Sequence, residues 1–190
     1  MSRALKIKDP DGLYFVTFTV VHWIDLFIRK DYKDIMTDSL KHCQENKGLV
    51  VHAFVNMTSH VHLIVSRRTD GEQLSSIIRD FKKYTSGKLL KAIKEIPESR
   101  REWLLRAFGQ AGRSNPNNSR YQVWIQDNHP VELVTKKFVR QKLDYVHNNP
   151  VESGFVFSAH DYVYSSACAY AGRAAECPLV VELLALPLWE

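Results

Sequence analysis

Apolar and polar positions along the chain change period several times, and each change marks an element. Residues 13–21, Leu-Tyr-Phe-Val-Thr-Phe-Thr-Val-Val, follow an Asp11-Gly12 turn and are dense in β-branched and aromatic side chains, which predicts a long strand. From Asp31 to Lys47 the spacing becomes helical, with Ile35, Met36, Leu40 and Cys43 on the apolar side and Gly48 as the stop. Residues 49–57 return to strand. After Thr58-Ser59 the run from His60 to Val65 predicts a partner strand, the two forming an antiparallel hairpin. Successive strand side chains face opposite ways, so His60, His62 and Ile64 share one face while Val61, Leu63 and Val65 share the other. Two imidazoles side by side can meet one cation, but His-x-His alone is also the mark of two half-buried core histidines.

Beyond a charged turn from Arg67 to Gly71, residues 73–94 predict an amphipathic helix with Leu74, Ile77, Ile78, Phe81 and Leu89 turned inward. Glu98 to Ala111 predict another helix. Gly112 to Arg120 is an Asn-rich loop bracketed by arginines, suited to a lid or a DNA-contacting flap. Tyr121 to Gln126 predict a last strand, Asp127 to Pro130 a turn, and residues 131–148 a final helix whose Val139, Leu143 and Val146 face the core. Lys142, Tyr145 and Asn149 follow the same spacing on the neighbouring stripe, so a phenol and an amide one turn apart can reach one point. His147 is off that stripe. Pro150 disfavours helical geometry at the residue before it, which would put Asn149 at the helix terminus. Strands alternating with helices, with an antiparallel hairpin among them, predict an α+β sandwich: an antiparallel sheet of four or five strands covered by helices. No repeat or linker interrupts this order, so one domain is expected over residues 1–170, with a tail at 171–190 that carries a short helix from Glu182 to Leu186.

Composition changes this picture in two places. The chain of 190 residues carries 26 Lys+Arg against 21 Asp+Glu, a net charge of +5 that makes a polyanionic partner possible. Six cations and one anion fall between Arg79 and Lys94, whereas such a run is otherwise a solvated helix face. Arg79, Lys82, Lys83 and Lys88, with Arg113 and Arg120 of the loop, are therefore candidates for phosphate contact, and Tyr84 and Trp103 for base stacking. The three cysteines are odd in number and lack C-x-x-C spacing, which argues against a zinc ribbon or a disulfide framework. No apolar leader stands at the N-terminus and no apolar run approaches the ~18 residues that span a bilayer, so a cytoplasmic protein free of the membrane is expected.

Two motifs together carry a family resemblance. Ser59-His60-Val61-His62-Leu63-Ile64-Val65 and the later Leu143-Asp144-Tyr145-Val146-His147-Asn148-Asn149-Pro150-Val151-Glu152-Ser153-Gly154-Phe155-Val156 resemble the HUH-type single-tyrosine transposases, in particular the REP-associated tyrosine transposase branch. The likeness spans Gly12 to Ser166. Residues 123–126, Val-Trp-Ile-Gln, resemble the family's Trp-Gln strand with an extra Ile, and the stretch from Arg100 to Asn118 is longer than the common minimum. The resemblance implies a ferredoxin-like core and a nuclease that cuts and rejoins single-stranded DNA at hairpins through a 5′-phosphotyrosine. It implies Tyr145 as nucleophile, His60 and His62 as metal ligands, and Asn149 as the third, with His147 as a competitor. Two imidazoles and one amide leave positions open for water and phosphate, which suits Mg²⁺ or Mn²⁺ better than a closed zinc site. A phenol is protonated at neutral pH, so the tyrosine needs a cation or base nearby, and Lys142, one turn earlier, is the candidate. Family members work as monomers or as homodimers that share the site. A non-catalytic nucleic-acid-binding module of the same fold, or a metal hydrolase that uses water, are the competing readings.

Overall fold

The structure, a computed structural model, describes residues 7–115, 120–126 and 130–185. Strand β1 (Tyr14–Thr19) leads to helix α1 (Lys30–Asn46), and β2 (Leu49–Asn56) and β3 (His60–Arg67) form the expected hairpin. Helices α2 (Leu74–Glu95) and α3 (Arg101–Arg113) follow, then an edge strand β4 (Val131–Glu132), helix α4 (Lys136–Glu152) and a short α5 (Ala167–Tyr170). The sheet is antiparallel with order β2-β3-β1-β4. β3 thus lies between two strands that α1 connects, the split β-α-β arrangement of ferredoxin-like folds.

Helices cover both faces of this sheet. Tyr14, Val16 and Phe18 of β1 with Val61, Leu63 and Val65 of β3 face the main core, which α1, α2 and α3 complete with Met36, Phe81, Leu89 and Phe108. On the other face Phe15, Ala53, Val55 and Ile64 meet Val139, Leu143 and Val146 of α4 in a smaller cluster. β2 contributes to both through a bulge. Its register with β3 jumps from Val51↔Val65 to Ala53↔Ile64, so His52 is the extra residue and the alternation inverts. Leu49 and Val51 therefore belong to the main core, and Ala53 and Val55 to the histidine face.

Three boundaries differ from the sequence-based expectation. Residues 121–126 do not form a strand: one bridge, Val20↔Trp124, joins them to the end of β1. Their β-like composition reflects side-chain burial instead, since Trp124 stacks on Phe27 at 5.8 Å and donates its indole N–H to Thr85 Oγ1 at 3.1 Å. The fourth strand is β4, where Phe15 pairs with Val131, so α4 begins at Lys136 and not at Val131. Thr135 caps it, its side chain accepting from the N–H of Phe138 at 3.2 Å. α4 then runs through Pro150 to Glu152, which leaves Asn149 inside the helix and not at its end. The proline sits in the last turn, and the chain closes behind it with Gly154 at φ 73 donating to Val151 O.

The tail also differs. Residues 182–185 are not helical, because the N–H of Glu182 donates to Val51 O and that of Leu184 to the Tyr170 hydroxyl; Leu186 lies outside the described residues. The centre of the Asn-rich loop, residues 116–119, and residues 127–129 of the expected turn also lie outside them. Among the described residues Cys43, Cys168 and Cys177 are free thiols, and no helix is long and apolar enough to cross a membrane.

Candidate active site

β3 delivers the two histidines to the α4 face as alternation requires, with ring centroids 4.6 Å apart. Each ring is anchored through Nδ1. Thr17, directly across the ladder from His62, places Oγ1 2.8 Å from its Nδ1, and Ser59 Oγ lies 3.1 Å from Nδ1 of His60. Phe15 stacks on His62 at 5.3 Å. Burial, reinforced by His60 and Lys142, pushes His62 down to about 3, and burial lowers His60 as well against the pull of Asp25. Both imidazoles are therefore neutral at pH 7 and keep lone pairs for a ligand. With Nδ1 occupied by a hydroxyl, Nε2 of His62 is the atom that faces the site.

α4 supplies the other half. The Tyr145 hydroxyl stands 3.3 Å from His62 Nε2 within the same chain, its ring edge-on to Phe15 at 6.0 Å and the residue 41% exposed. Lys142 Nζ lies 4.7 Å from the Phe15 ring centre and 5.5 Å from that of Tyr145. Asn149, one turn beyond the tyrosine, is buried. His147 points elsewhere. Its Nε2 lies 2.8 Å from Ser166 Oγ and its ring meets Tyr170 at 4.9 Å, so it ties α4 to α5; burial pushes it down to about 4.

At the far edge of the histidine pair, the turn after β1 carries Trp23, 60% exposed and edge-on to His60 at 5.5 Å. His22 and Trp23 hold left-handed backbone at φ 57 and 54, which costs a non-glycine residue about 1–2 kcal/mol each. Hydrogen bonds fix the turn: Trp23 N–H to Val20 O at 3.0 Å, and Val21 N–H to Val123 O at 2.8 Å.

The cations singled out from composition are distributed differently. Arg79 pairs with Asp80 at 3.2 Å, and Lys82 donates to the Ile125 and Gln126 carbonyls at 2.8 and 3.4 Å. Lys83 and Lys88 are exposed, the latter 5.3 Å above the Tyr84 ring. All four belong to α2, which packs in the main core on the face opposite the histidines, as does α3 with Trp103 and Arg113. Arg120 lies 5.2 Å from the ring centre of Tyr121. The cations that share a helix with Tyr145 are Lys136, Lys137, Arg140 and Lys142, four with no anion in seven residues. That run is legible in the sequence, though shorter than the one in α2. Thr17 and Trp23 had no local signal: each matters through a partner, His62 or His60, that only the sheet brings near.

The sequence of the first half and the fold of the whole have counterparts among known proteins. Residues 17–109 match the family described as Transposase IS200 like, a span that contains both histidines and ends before Tyr145. Over that span, just under half of the chain, the sequence is similar to the IS200-like transposases. A search of curated proteins gives no match. A solved structure described as the REP-associated tyrosine transposase bound to a REP hairpin is similar along the whole chain. The TM-score is 0.64 at 16% identity, and the match covers 100% of this chain and 99% of that one. At that identity the likeness is one of fold, and it is the α+β fold expected from the sequence.

Proposed function

We propose that this protein is a metal-dependent single-stranded DNA transposase that cuts and rejoins strands at hairpins through a 5′-phosphotyrosine. The observation that carries this reading is the 3.3 Å approach of the Tyr145 hydroxyl to His62 Nε2 within one chain, which supports a site complete in a monomer. The donors fit a weakly held divalent ion. His60 and His62 are neutral, Asn149 is a buried amide, and no cluster of three His, Cys, Asp or Glu exists among the described residues. Those three side chains would hold Mg²⁺ or Mn²⁺ with positions left for water and phosphate. Bound there, the ion would neutralise charge growing on a non-bridging phosphate oxygen.

The chain's own residues do the rest. Thr17 and Ser59 orient the imidazoles. Tyr145 attacks phosphorus; its Oη–P bond forms as the P–O3′ bond breaks, the phenol proton passes to solvent, and the leaving oxygen takes up a proton as a free 3′-OH. Lys142 stabilises the phenolate and the phosphate between which negative charge moves. The ester link is conserved in the phosphotyrosine, so a 3′-OH can reverse the step or redirect it, which attack by water would forfeit. Lys136 and Lys137, exposed on the same helix, neutralise the approaching backbone, with Lys83, Lys88, Arg113 and Arg120 reaching DNA beyond the site. The solved relative is bound to a REP hairpin, and a hairpin with a single-stranded flank is the substrate class carried to this chain.

The test is a denaturing gel with Mn²⁺ and a labelled hairpin oligonucleotide selected from a randomised pool by binding to the immobilised protein without metal. A strand transferase leaves a protein–DNA adduct. A hydrolase leaves free ends alone, and a binding module leaves the oligonucleotide whole; either result removes the proposal.

A further inference from the structure

Trp23 has no part in the core or in the steps above. The exposed indole is carried on two consecutive left-handed residues in a turn whose backbone is held by Trp23 N–H to Val20 O and Val21 N–H to Val123 O, and its ring rests edge-on against His60. Ring contacts run in a row: Trp23 to His60 at 5.5 Å, His60 to His62 at 4.6 Å, His62 to Tyr145 at 5.0 Å. Trp23 and Tyr145 stand at its two ends, with no ring contact between them among the described residues.

We propose that Trp23 is the stacking platform for the base of the nucleotide whose 3′-oxygen leaves when Tyr145 attacks. This rests on the strand-transfer reading above. In phosphoryl transfer the entering and leaving oxygens lie roughly in line on opposite sides of phosphorus. A phosphate over the histidine pair, attacked from the Tyr145 end, therefore points its P–O3′ bond toward the Trp23 end. There the base of the leaving nucleotide meets an indole face, which accepts any base because every base has a π-face. The stack keeps the freed 3′-OH beside the phosphotyrosine, where it can rejoin. Beyond Trp23, the adjacent His22 lines a groove with Gln110, a side chain of the kind that hydrogen-bonds base edges of unpaired nucleotides, and with Gln122, whose amide accepts from Asn115 at 3.0 Å and donates to the Trp124 carbonyl at 2.9 Å.

The experiment measures the rate of adduct formation with Mn²⁺ for the wild type, Trp23→Ala and Trp23→Phe. Each acts on the selected hairpin oligonucleotide with either a normal or an abasic nucleotide immediately 5′ to the cleaved phosphate. Trp23→Ala is expected to slow adduct formation roughly 5- to 150-fold on the normal strand, the range of one base–aromatic stack, and Trp23→Phe to recover most of it. The abasic site should slow the wild type by a similar factor and leave Trp23→Ala almost unchanged. A merely structural role for Trp23 would make the two losses multiply. That outcome, or a Trp23→Ala enzyme as fast as the wild type, overturns the proposal while the strand-transfer reading stands. A wild type that forms no adduct on any selected hairpin overturns the reading itself, and the platform with it.

Discussion

The two faces of one sheet do different work. The main core, between the sheet and α1, α2 and α3, is large and aromatic, with Tyr14, Phe18, Phe27, Tyr32 and Phe108 almost wholly enclosed. The opposite cluster under α4 is small, and it holds the histidines and the half-exposed tyrosine. The longest run of positive charge belongs to the first face and the candidate site to the second. An amphipathic helix must turn its lysines away from the core it covers, so α2 presents them outward from the opposite layer, and one of them, Lys82, is spent on holding carbonyls of residues 125 and 126. A thin cover suits the proposed function of this face, in which Tyr145 has to meet solvent and DNA.

If the division is real, perturbing one face should leave the other's property intact. Tyr145→Phe should abolish the adduct, a loss of more than about a thousand-fold, while unfolding in urea shifts by less than about 0.5 kcal/mol, since the exposed ring keeps its contact with Phe15. A large stability loss in this variant would break the comparison. Phe108→Ala, in the main core, should do the reverse and cost about 3–5 kcal/mol, with the adduct rate of the folded fraction unchanged. Thr17→Val removes the hydroxyl that holds His62 Nδ1 and should weaken Mn²⁺ binding about 10- to 100-fold by titration calorimetry. An unchanged affinity would mean the ring is oriented by Phe15 alone.

Acid should strike the α4 face first. His60, His62 and His147, with His52 at the bulge, all lie below the ordinary histidine value of 6.5 because burial disfavours the charged ring, His62 at about 3 and His147 at about 4. The unfolded chain then binds more protons, so stability is full above pH 6.5 and is lost as pH falls from there toward 4. Urea unfolding across that window should show the decline, and His147→Gln should flatten part of it. A flat profile above pH 5 would show that these rings titrate as in the unfolded chain. The smallest effect separates the two basic helices: Lys136→Ala with Lys137→Ala should lower the salt dependence of hairpin binding by up to about one unit of slope per lysine, and Lys83→Ala with Lys88→Ala by less.

Much of this was legible in the residues, for reasons that differ by element. α1 and α2 were bounded within a residue or two because their apolar spacing persists over several turns. β4 was not, since two residues carry no period, and Tyr121 to Gln126 looked like a strand because a half-buried irregular segment and a strand draw on the same side chains. Asn149 was placed at a helix end by the rule for residues before proline, and the last turn of α4 absorbed the exception. His147, the competitor of Asn149, lies beside Ser166 because α5 packs against α4, a pairing that no local spacing announces.

Alternation along a strand and spacing along a helix are local, so the amino-acid order alone determined that His60 and His62 share a face and that Lys142, Tyr145 and Asn149 share a stripe. Which strand lies beside β3, which helix lies over its histidines, and where Trp23 comes to rest depend on burying surfaces far apart in the chain. Those pairings, Thr17 with His62, Tyr145 with His62 and Trp23 with His60, were decided by the tertiary structure, because each joins groups that no local period can place together.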